Sequence, residues 1–499
     1  IAAYPELACT PGPFEVSTHW GVHEDVFCPT ERTIAFLEDV LTEVMQIFPS
    51  EYIHIGGDEV PKTRWKASAA AQDMMRREGL HNEEELQSWF TRQIESFLRA
   101  HGRRLIGWDE ILEGGIAPEA TVMSWRGIEG GIAAARQGHD VVMTPGEYAY
   151  LDHYQGDPAT EPLAIGDFLP LDTVYAWEPV PAVLTPAEAT HVLGAQGNLW
   201  TEYISTPKYA EYMLFPRMIA LSEVVWSPKE ARSWDRFVAR LPAQLARLDA
   251  LGVDYRVPEP FGLAGDRRVI ESRTTVAISS PFPGAVIRYT TDGSAPNESS
   301  PVYTRPLALR VTPTPVTVSA RVYLPNGRTS AVARSRISRA TWQKAVAVRA
   351  DSLQAGLAYA YREGTFASAD SVRTARGAPD RVGTVPDVRL RGDERPEKYG
   401  LRLTGYVRVP KDALYTFYLT CDDGAKLRVD DELVVDHDGQ HATTERHGQT
   451  ALRAGLHRVE VAYFQGGGGA ALQMAVSAPG LAPRPVPPEW FVHASGDAR

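Results

Sequence analysis

Residues 52–59 read YIHIGGDE, a short aromatic and β-branched run that ends in two glycines and two adjacent carboxylates before Val60 and Pro61 stop it. Such a run suits a strand. Gly56 and Gly57 remove side chains where the strand gives way to a loop, so a bulky group can approach the backbone there. Asp58 and Glu59 stand at that opening. Neighbouring side chains on an extended segment point to opposite sides, so the two acids are expected to do different jobs. Read alone, the stretch is equally a strand-end turn carrying two solvated acids. An apolar run before Asp-Glu also occurs on the magnesium-binding strand of P-loop ATPases, but no GxxxxGK[ST] exists in this chain.

Working outward, Ile34, Leu37, Val40, Leu41, Val44, Met45 and Phe48 recur at helical spacing ahead of the stretch, with Thr30 placed to cap. Behind it, Asn82 and Glu85 form a capping-box pattern for a helix carrying Leu86, Trp89, Phe90, Phe97 and Leu98, ended by Gly102. Four more strand-like runs follow: RRLIGWDE (103–110), TVMSWRG (121–127), DVVMTP (140–145) with a Tyr-rich loop EYAYLDHY, and HVLGAQGNLWTE (191–202). A helix is expected over 132–137, and two more near 209–223 and 233–251. Strands alternating with helices predict a parallel sheet of βα units. In every unit the aromatic or acidic residues fall at the carboxyl end of the strand: Asp58 and Glu59, Trp108 and Asp109, Trp125, Tyr150 and Asp152, Trp200 and Glu202. That is the end at which a (β/α)₈ barrel builds its site.

At 499 residues the length suits about three domains. The remainder divides accordingly. A Pro- and Gly-containing linker is expected between 251 and 274, then a small β-sandwich over 270–340 with DG, NG and PG turn signals. A second linker is expected over 341–352, then a second β-sandwich over 352–495 with period-two alternation and no helix. The glycines at 466–469 precede no helix and so suit a loop rather than a phosphate cradle.

The net charge of −12, with charges interspersed rather than in runs, argues against a nucleic-acid partner or an anionic membrane surface. No apolar run is long enough to span a bilayer. Eleven Trp and twenty Tyr suit a site for sugars or aromatic ligands, though many such rings belong to cores. Cys9, Cys28 and Cys421 show no CxxC metal spacing and form no disulfide framework, although Cys9 and Cys28 could pair in an exporting host. No cofactor is expected.

The motifs HIGGDE (54–59), GWDEI (107–111), SWRG (124–127), YLDHY (150–154) and NLWTE (198–202), in this order and spacing, resemble the catalytic barrel of the β-N-acetylhexosaminidases of glycoside hydrolase family 20. The resemblance covers roughly residues 1–250, giving a first domain of 1–252. It implies release of terminal β-linked N-acetylglucosamine or N-acetylgalactosamine with retention, the substrate's own acetamide oxygen acting as nucleophile through an oxazolinium intermediate. Only one carboxyl then has to reach the glycosidic oxygen. By resemblance Glu59 is the general acid and base, Asp58 holds the acetamide N–H, and Tyr150 donates to the acetamide oxygen. Trp108, Trp125 and Trp200 would box the acetamide methyl, Asp152 and Glu202 would bind sugar hydroxyls, and Trp177 would stack on a sugar face. His54, Asp109 and Glu110 are expected to be structural.

The resemblance also sets expectations about what is missing. YPELAC (4–9) resembles the segment after the family's third strand, so only strands four to eight are expected here, in a remnant with exposed apolar edges that is poorly soluble or inactive alone. Residues 270–340 resemble the sandwich found C-terminal to some bacterial hexosaminidase barrels. The last module resembles the protective-antigen type, some of whose adhesin members bind calcium and sugar through an acidic pair placed like Asp422 and Asp423. Alternatives are a carbohydrate-binding or adhesin-like protein with an inert barrel, and a lacto-N-biose-releasing relative. A periplasmic, outer-surface or extracellular location is expected.

Overall fold

The computed structural model describes residues 1–494 except positions 20, 157, 159, 264, 281, 283 and 442. The chain forms two compact units, Ile1–Gln155 with Phe168–Tyr255, and Gly156–Asp167 with Arg256–Arg499.

The first unit is built on five strands in sequential order: β1 (Tyr52–His54), β2 (Arg104–Trp108), β3 (Thr121–Ser124), β4 (Val141–Met143) and β5 (Val192–Ala195). All four pairings are parallel, with Ile53 opposite Leu105, Gly107 opposite Val122 and Met123 opposite Val142. This is the run of βα units expected from the alternation, with every strand end on one side. All four residues of β3 are buried, as in a strand covered on both faces.

The helices form where periodicity and caps direct them. Helix α1 (Glu31–Ile47) starts at Thr30, whose hydroxyl accepts from the Thr33 amide. Two helices that the sequence reading did not foresee follow β1: α2 (Thr63–Ala67) and α3 (Ala69–Glu78), the latter capped by Ser68. Helix α4 (Glu83–Ala100) is capped by Asn82, but Glu85 reaches back to the His81 amide, one residue short of a reciprocal box. Helix α5 (Glu129–Arg136) leads to β4. The Tyr-rich loop opens with a helical turn, α6 (Gly146–Ala149), and α7 (Leu171–Ala176) and α8 (Pro186–Ala189) precede β5. The helix expected over 209–223 is divided in two, α9 (Pro207–Leu214) and α10 (Arg217–Trp226), on either side of Pro216, whose missing N–H cannot continue a ladder. Helix α11 (Trp234–Leu251) closes the unit.

Among the described residues, β1 and β5 are each paired on one side only. Beside β1 lies a groove of about 520 Å³ lined by Leu37, Leu41, Ile55, Phe90 and Ile94 among others. On α1 and just after it, Ile47 and Phe48 are 70% and 58% exposed, the apolar surface expected of an open sheet. Cys9 and Cys28, whose pairing the sequence left open, form a disulfide.

In the second unit the first sandwich pairs a sheet of order β6-β11-β10-β8 with the two-stranded antiparallel sheet β7-β9. Its strands are β6 (Asp266–Val269), β7 (Arg273–Val276), β8 (Val286–Thr290), β9 (Leu307–Arg310), β10 (Val316–Tyr323) and β11 (Ala333–Arg339). Strand β6 lies inside the stretch expected to be a linker, so the module begins before 270; its parallel pairing with β11 draws it in. The second expected linker is corrected likewise, because β12 (Trp342–Gln343) pairs with a strand of the last module.

That module comprises β13 (Leu353–Ala355), β14 (Leu357–Glu363), β15 (Arg381–Val385), β16 (Tyr399–Val409), β17 (Ala413–Asp422), β18 (Ala425–Val429), β19 (Glu432–His437), β20 (Thr444–Leu452), β21 (Gly455–Gln465), β22 (Ala471–Ala478), β23 (Leu481–Pro485) and β24 (Phe491–Ala494). One sheet runs β12-β20-β17-β22-β23, and β16, β18, β19, β21 and β24 belong to the other. Alternation along β17 buries Ala413, Tyr415, Phe417, Leu419 and Cys421 between the sheets. Each large apolar side chain so buried contributes about 1.5–3 kcal/mol. Contrary to the all-strand expectation, a helical turn, α12 (Ala369–Arg373), is present, and Ser368 and Ser371 form its reciprocal cap. Residue 495, the last of the expected domain, lies outside the described residues.

Candidate active site

The opening stretch leaves strand geometry early. β1 ends at His54, and Gly56, Gly57 and Glu59 have φ of 77°, 94° and 48°. The alternation argument therefore does not reach Asp58 and Glu59, and the left-handed turn decides where they point. Gly57 is required there: a Cβ would stand 2.7 Å from Ile111 Cγ2. The turn is fixed from outside, since Gln87 Nε2 donates to Gly57 O at 2.7 Å and the Trp108 amide donates to Gly56 O at 2.9 Å. Glu59 emerges exposed, and its carboxyl is held above the ordinary range first by desolvation and second by the Asp58 charge.

The aromatic residues of the other strand ends converge. Trp108 and Trp200 have ring centroids 6.0 Å apart, Trp200 and Tyr150 6.5 Å, and Tyr150 and Trp125 6.4 Å, the last pair nearly parallel. Three strand ends and the segment after β5 thus supply one continuous aromatic wall. His54, expected to be structural, packs edge-on against Trp108 at 4.8 Å, and its Nδ1 accepts from the Gly56 amide. It joins the wall to the acid-bearing turn.

Trp125 is held by the two acids assigned a fixing role. Its indole N–H donates to Glu110 Oε2 at 2.9 Å and its amide to Asp109 Oδ2 at 3.1 Å. Arg126 Nε donates to Asp109 Oδ1 at 2.5 Å. Burial raises Glu110 while the Trp125 bond opposes it.

Tyr150 and Asp152 are positioned by main-chain bonds across to the β5 side: Asn198 N donates to Ala149 O, and Leu151 N to Asn198 O at 2.7 Å. Burial pushes the Tyr150 hydroxyl up to about 12, against hydrogen bonds from Trp200 and Asn198, so it is a neutral donor in ordinary buffers. Asp152 is 2% exposed, and among the described residues its carboxylate oxygens have no close hydrogen-bond partner, only the looser approach of the Asp152 and Trp200 amides. Desolvation raises it to about 6 although the Arg217 charge favours ionisation. Buried oxygens so weakly bonded are costly unless a ligand completes their bonding. Glu202 lies exposed beyond β5, near enough for its charge to raise Asp152.

Two positions depart from expectation. Trp177, expected to stack on a sugar, is 5% exposed with its ring parallel to Tyr148 at 5.6 Å. That neighbour covers one face and the unit's interior most of the rest. Arg217, which the sequence reading did not single out, is fully buried and donates to Leu151 O (2.5 Å), His153 O (3.0 Å), Leu169 O (2.8 Å) and Met213 O (2.8 Å). It clamps the loop that carries Asp152. The available signal was a lone charge within the apolar run MLFPRMIAL.

Far along the chain, Asp422 and Asp423 are 7% and 5% exposed. Asp423 accepts the His441 and Gly466 amides at 3.1 and 2.7 Å, and Asp422 accepts the Thr443 hydroxyl at 3.1 Å. The pair fastens two loops, one of them the glycine run.

Comparison with known proteins matches residues 1–229 to "Glycosyl hydrolase family 20, catalytic domain", residues 269–334 to "Chitobiase/beta-hexosaminidase C-terminal domain" and residues 353–490 to "PA14 domain". A beta-hexosaminidase of Porphyromonas gingivalis is 39% identical over 482 residues, covering 94% of this chain and 61% of that protein. A beta-hexosaminidase of Vibrio furnissii is 36% identical over 195 residues, covering 38% of this chain and 32% of that protein. A solved structure of a GH20 exo beta-N-acetylglucosaminidase from Vibrio harveyi in complex with N-acetylglucosamine is 38% identical, with a TM-score of 0.43, and the match covers 46% of this chain and 37% of that one. The chain spans less than two thirds of the curated relatives it matches.

Proposed function

We propose, from the match of residues 1–229 to the catalytic domain of glycosyl hydrolase family 20, that the protein is a retaining exo-β-N-acetylhexosaminidase acting on terminal β-linked N-acetylglucosamine or N-acetylgalactosamine. The observation that carries the proposal is the placing of one carboxyl of raised proton affinity, Glu59, on the turn next to a compact aromatic wall that includes a neutral phenol. Two equivalent carboxyls flanking a bond would suit a protein nucleophile. A single raised acid near a wall of aromatic rings suits a substrate that supplies its own.

In this reading Trp108, Trp125 and Trp200 enclose the acetamide methyl, and the Tyr150 hydroxyl donates to the acetamide oxygen and aims it at the anomeric carbon. Asp58 accepts from the acetamide N–H and balances the charge of the oxazolinium. Glu59 gives its proton to the leaving oxygen and then takes one from the attacking water. Asp152 and Glu202 accept sugar hydroxyls, which would complete the bonding of the buried Asp152 carboxylate. The test is hydrolysis by the protein as encoded of chromogenic N-acetylhexosaminides against the same glycosides without the acetamide. Equal rates on both would overturn the reading; rates confined to the acetamido sugars support it.

The Cys9–Cys28 disulfide favours an oxidising compartment, so we place the protein in the periplasm, on the cell surface or outside the cell. For Asp422 and Asp423 we infer fastening rather than calcium binding, because three of their carboxylate oxygens already accept N–H or O–H bonds. A calcium titration giving binding heat that Asp423→Asn removes would reverse that inference.

A further inference from the structure

At one end of the last sandwich, next to Asp422 and Asp423, three soft or borderline donors meet. Cys421 lies near the end of β17 in one sheet, His437 ends β19 in the other, and His441 lies in the loop between β19 and β20. One ligand atom of each lies within 4.8 Å of those of the other two. Cys421 is fully buried and His437 is 3% exposed.

The hydrogen bonds leave a lone pair without use. His437 Nε2 lies 3.1 Å from Thr444 O, a carbonyl that can only accept, so Nε2 carries the ring proton. Nδ1 is then the unprotonated nitrogen, and it is buried with no hydrogen-bond partner among the described residues. A ring nitrogen fixed as a lone pair by a carbonyl on its far side is how metal-binding histidines are commonly prepared. Fold stability alone gives no reason to bury that lone pair unbonded.

We propose that Cys421, His437 and His441 bind a zinc ion. Thiolate and imidazole are the ligands zinc takes, whereas calcium takes oxygen. With bond lengths of about 2.0–2.3 Å, ligands around a tetrahedral zinc sit about 3.3–3.6 Å apart, so the donors must draw in, and the His437 and His441 rings, stacked 4.0 Å apart at 14°, must turn to aim one nitrogen each at the ion. On binding, the Cys421 S–H bond breaks, its proton leaves to solvent and its electron pair goes to the ion. The thiolate cancels one of the two positive charges, and Asp422 and Asp423 follow directly in the chain. The ion would join the two sheets, because Cys421 and His437 belong to different ones. It would also hold the loop whose His441 amide bonds Asp423.

The test uses the whole chain, stripped with chelator and titrated with zinc alone against a chromophoric competitor, and with cobalt as a spectroscopic stand-in. The expected result is about one zinc per chain, a thiolate-to-cobalt charge-transfer band, and a loss of affinity of at least ~10–100-fold in both Cys421→Ser and His441→Gln. His441 is only half-buried, so its variant keeps the test open if Cys421→Ser fails to fold. No uptake by the unaltered chain, or affinity within threefold of it in either folded variant, overturns the proposal.

Discussion

Two pairs of neighbouring acids, Asp58-Glu59 after β1 and Asp422-Asp423 at the end of β17, look alike in sequence and differ in what their oxygens do. The first follows a left-handed turn that leaves Glu59 exposed with a raised proton affinity, beside a wall of rings. The second is buried, and amides and a hydroxyl from two loops take up its oxygens. Neighbouring carboxylates suggest chemistry where their bonding capacity is unspent, and architecture where the backbone has spent it.

The sharpest way to break this contrast is to remove one acid from each pair. Glu59→Gln keeps the shape and loses the proton, and kcat on a chromogenic N-acetylglucosaminide is expected to fall about 10²–10⁴-fold. Asp423→Asn should leave kcat and KM unchanged; a comparable kinetic loss there would dissolve the distinction. Next in size is Arg217→Met, which leaves four buried carbonyls without their donor. Denaturant unfolding should show a loss of about 3–5 kcal/mol, as for other broken buried charge networks.

Asp152 offers a pH-resolved version. Its proton affinity is raised from the ordinary 3.8 to about 6 by burial, so folding disfavours the ionised form. Stability from this group is complete below about pH 3.8 and is lost as pH rises through about 6, a change of roughly 3 kcal/mol at 1.36 kcal/mol per unit. Asp152→Asn should therefore gain on the parent protein by up to that amount between pH 4 and pH 7 in melts of the ligand-free protein; parallel curves would show that Asp152 is not desolvated. The smallest effect is expected at Asp423→Ala, about 1–3 kcal/mol of unfolding free energy for amides left unbonded.

Much of the first unit was legible because its strand ends repeat one pattern. Trp108, Trp125, Tyr150 and Trp200 come together as their positions suggested, and Thr30, Asn82 and Ser233 cap where capping chemistry predicts or allows. Helices α2 and α3 escaped because α2 spans five residues and α3 opens on three alanines with little apolar periodicity. The turn at Glu59 was invisible since nothing in the residue type requires a positive φ. Trp177 looked like a ligand platform for the same reason that any tryptophan does: one ring serves a core or a sugar equally well. β6 was lost in a Pro- and Gly-containing stretch and β12 in the second expected linker because pairing with a distant strand, not local pattern, makes them strands.

Arg217 bears on how such a site can be rewritten. Its guanidinium donates to four peptide oxygens, and those bonds do not depend on which side chains the bonded residues carry. Substitutions at Leu151, His153 and Leu169 therefore leave these main-chain bonds in place. A hold on the backbone lets the side chains of this corner vary while the loop keeps its course.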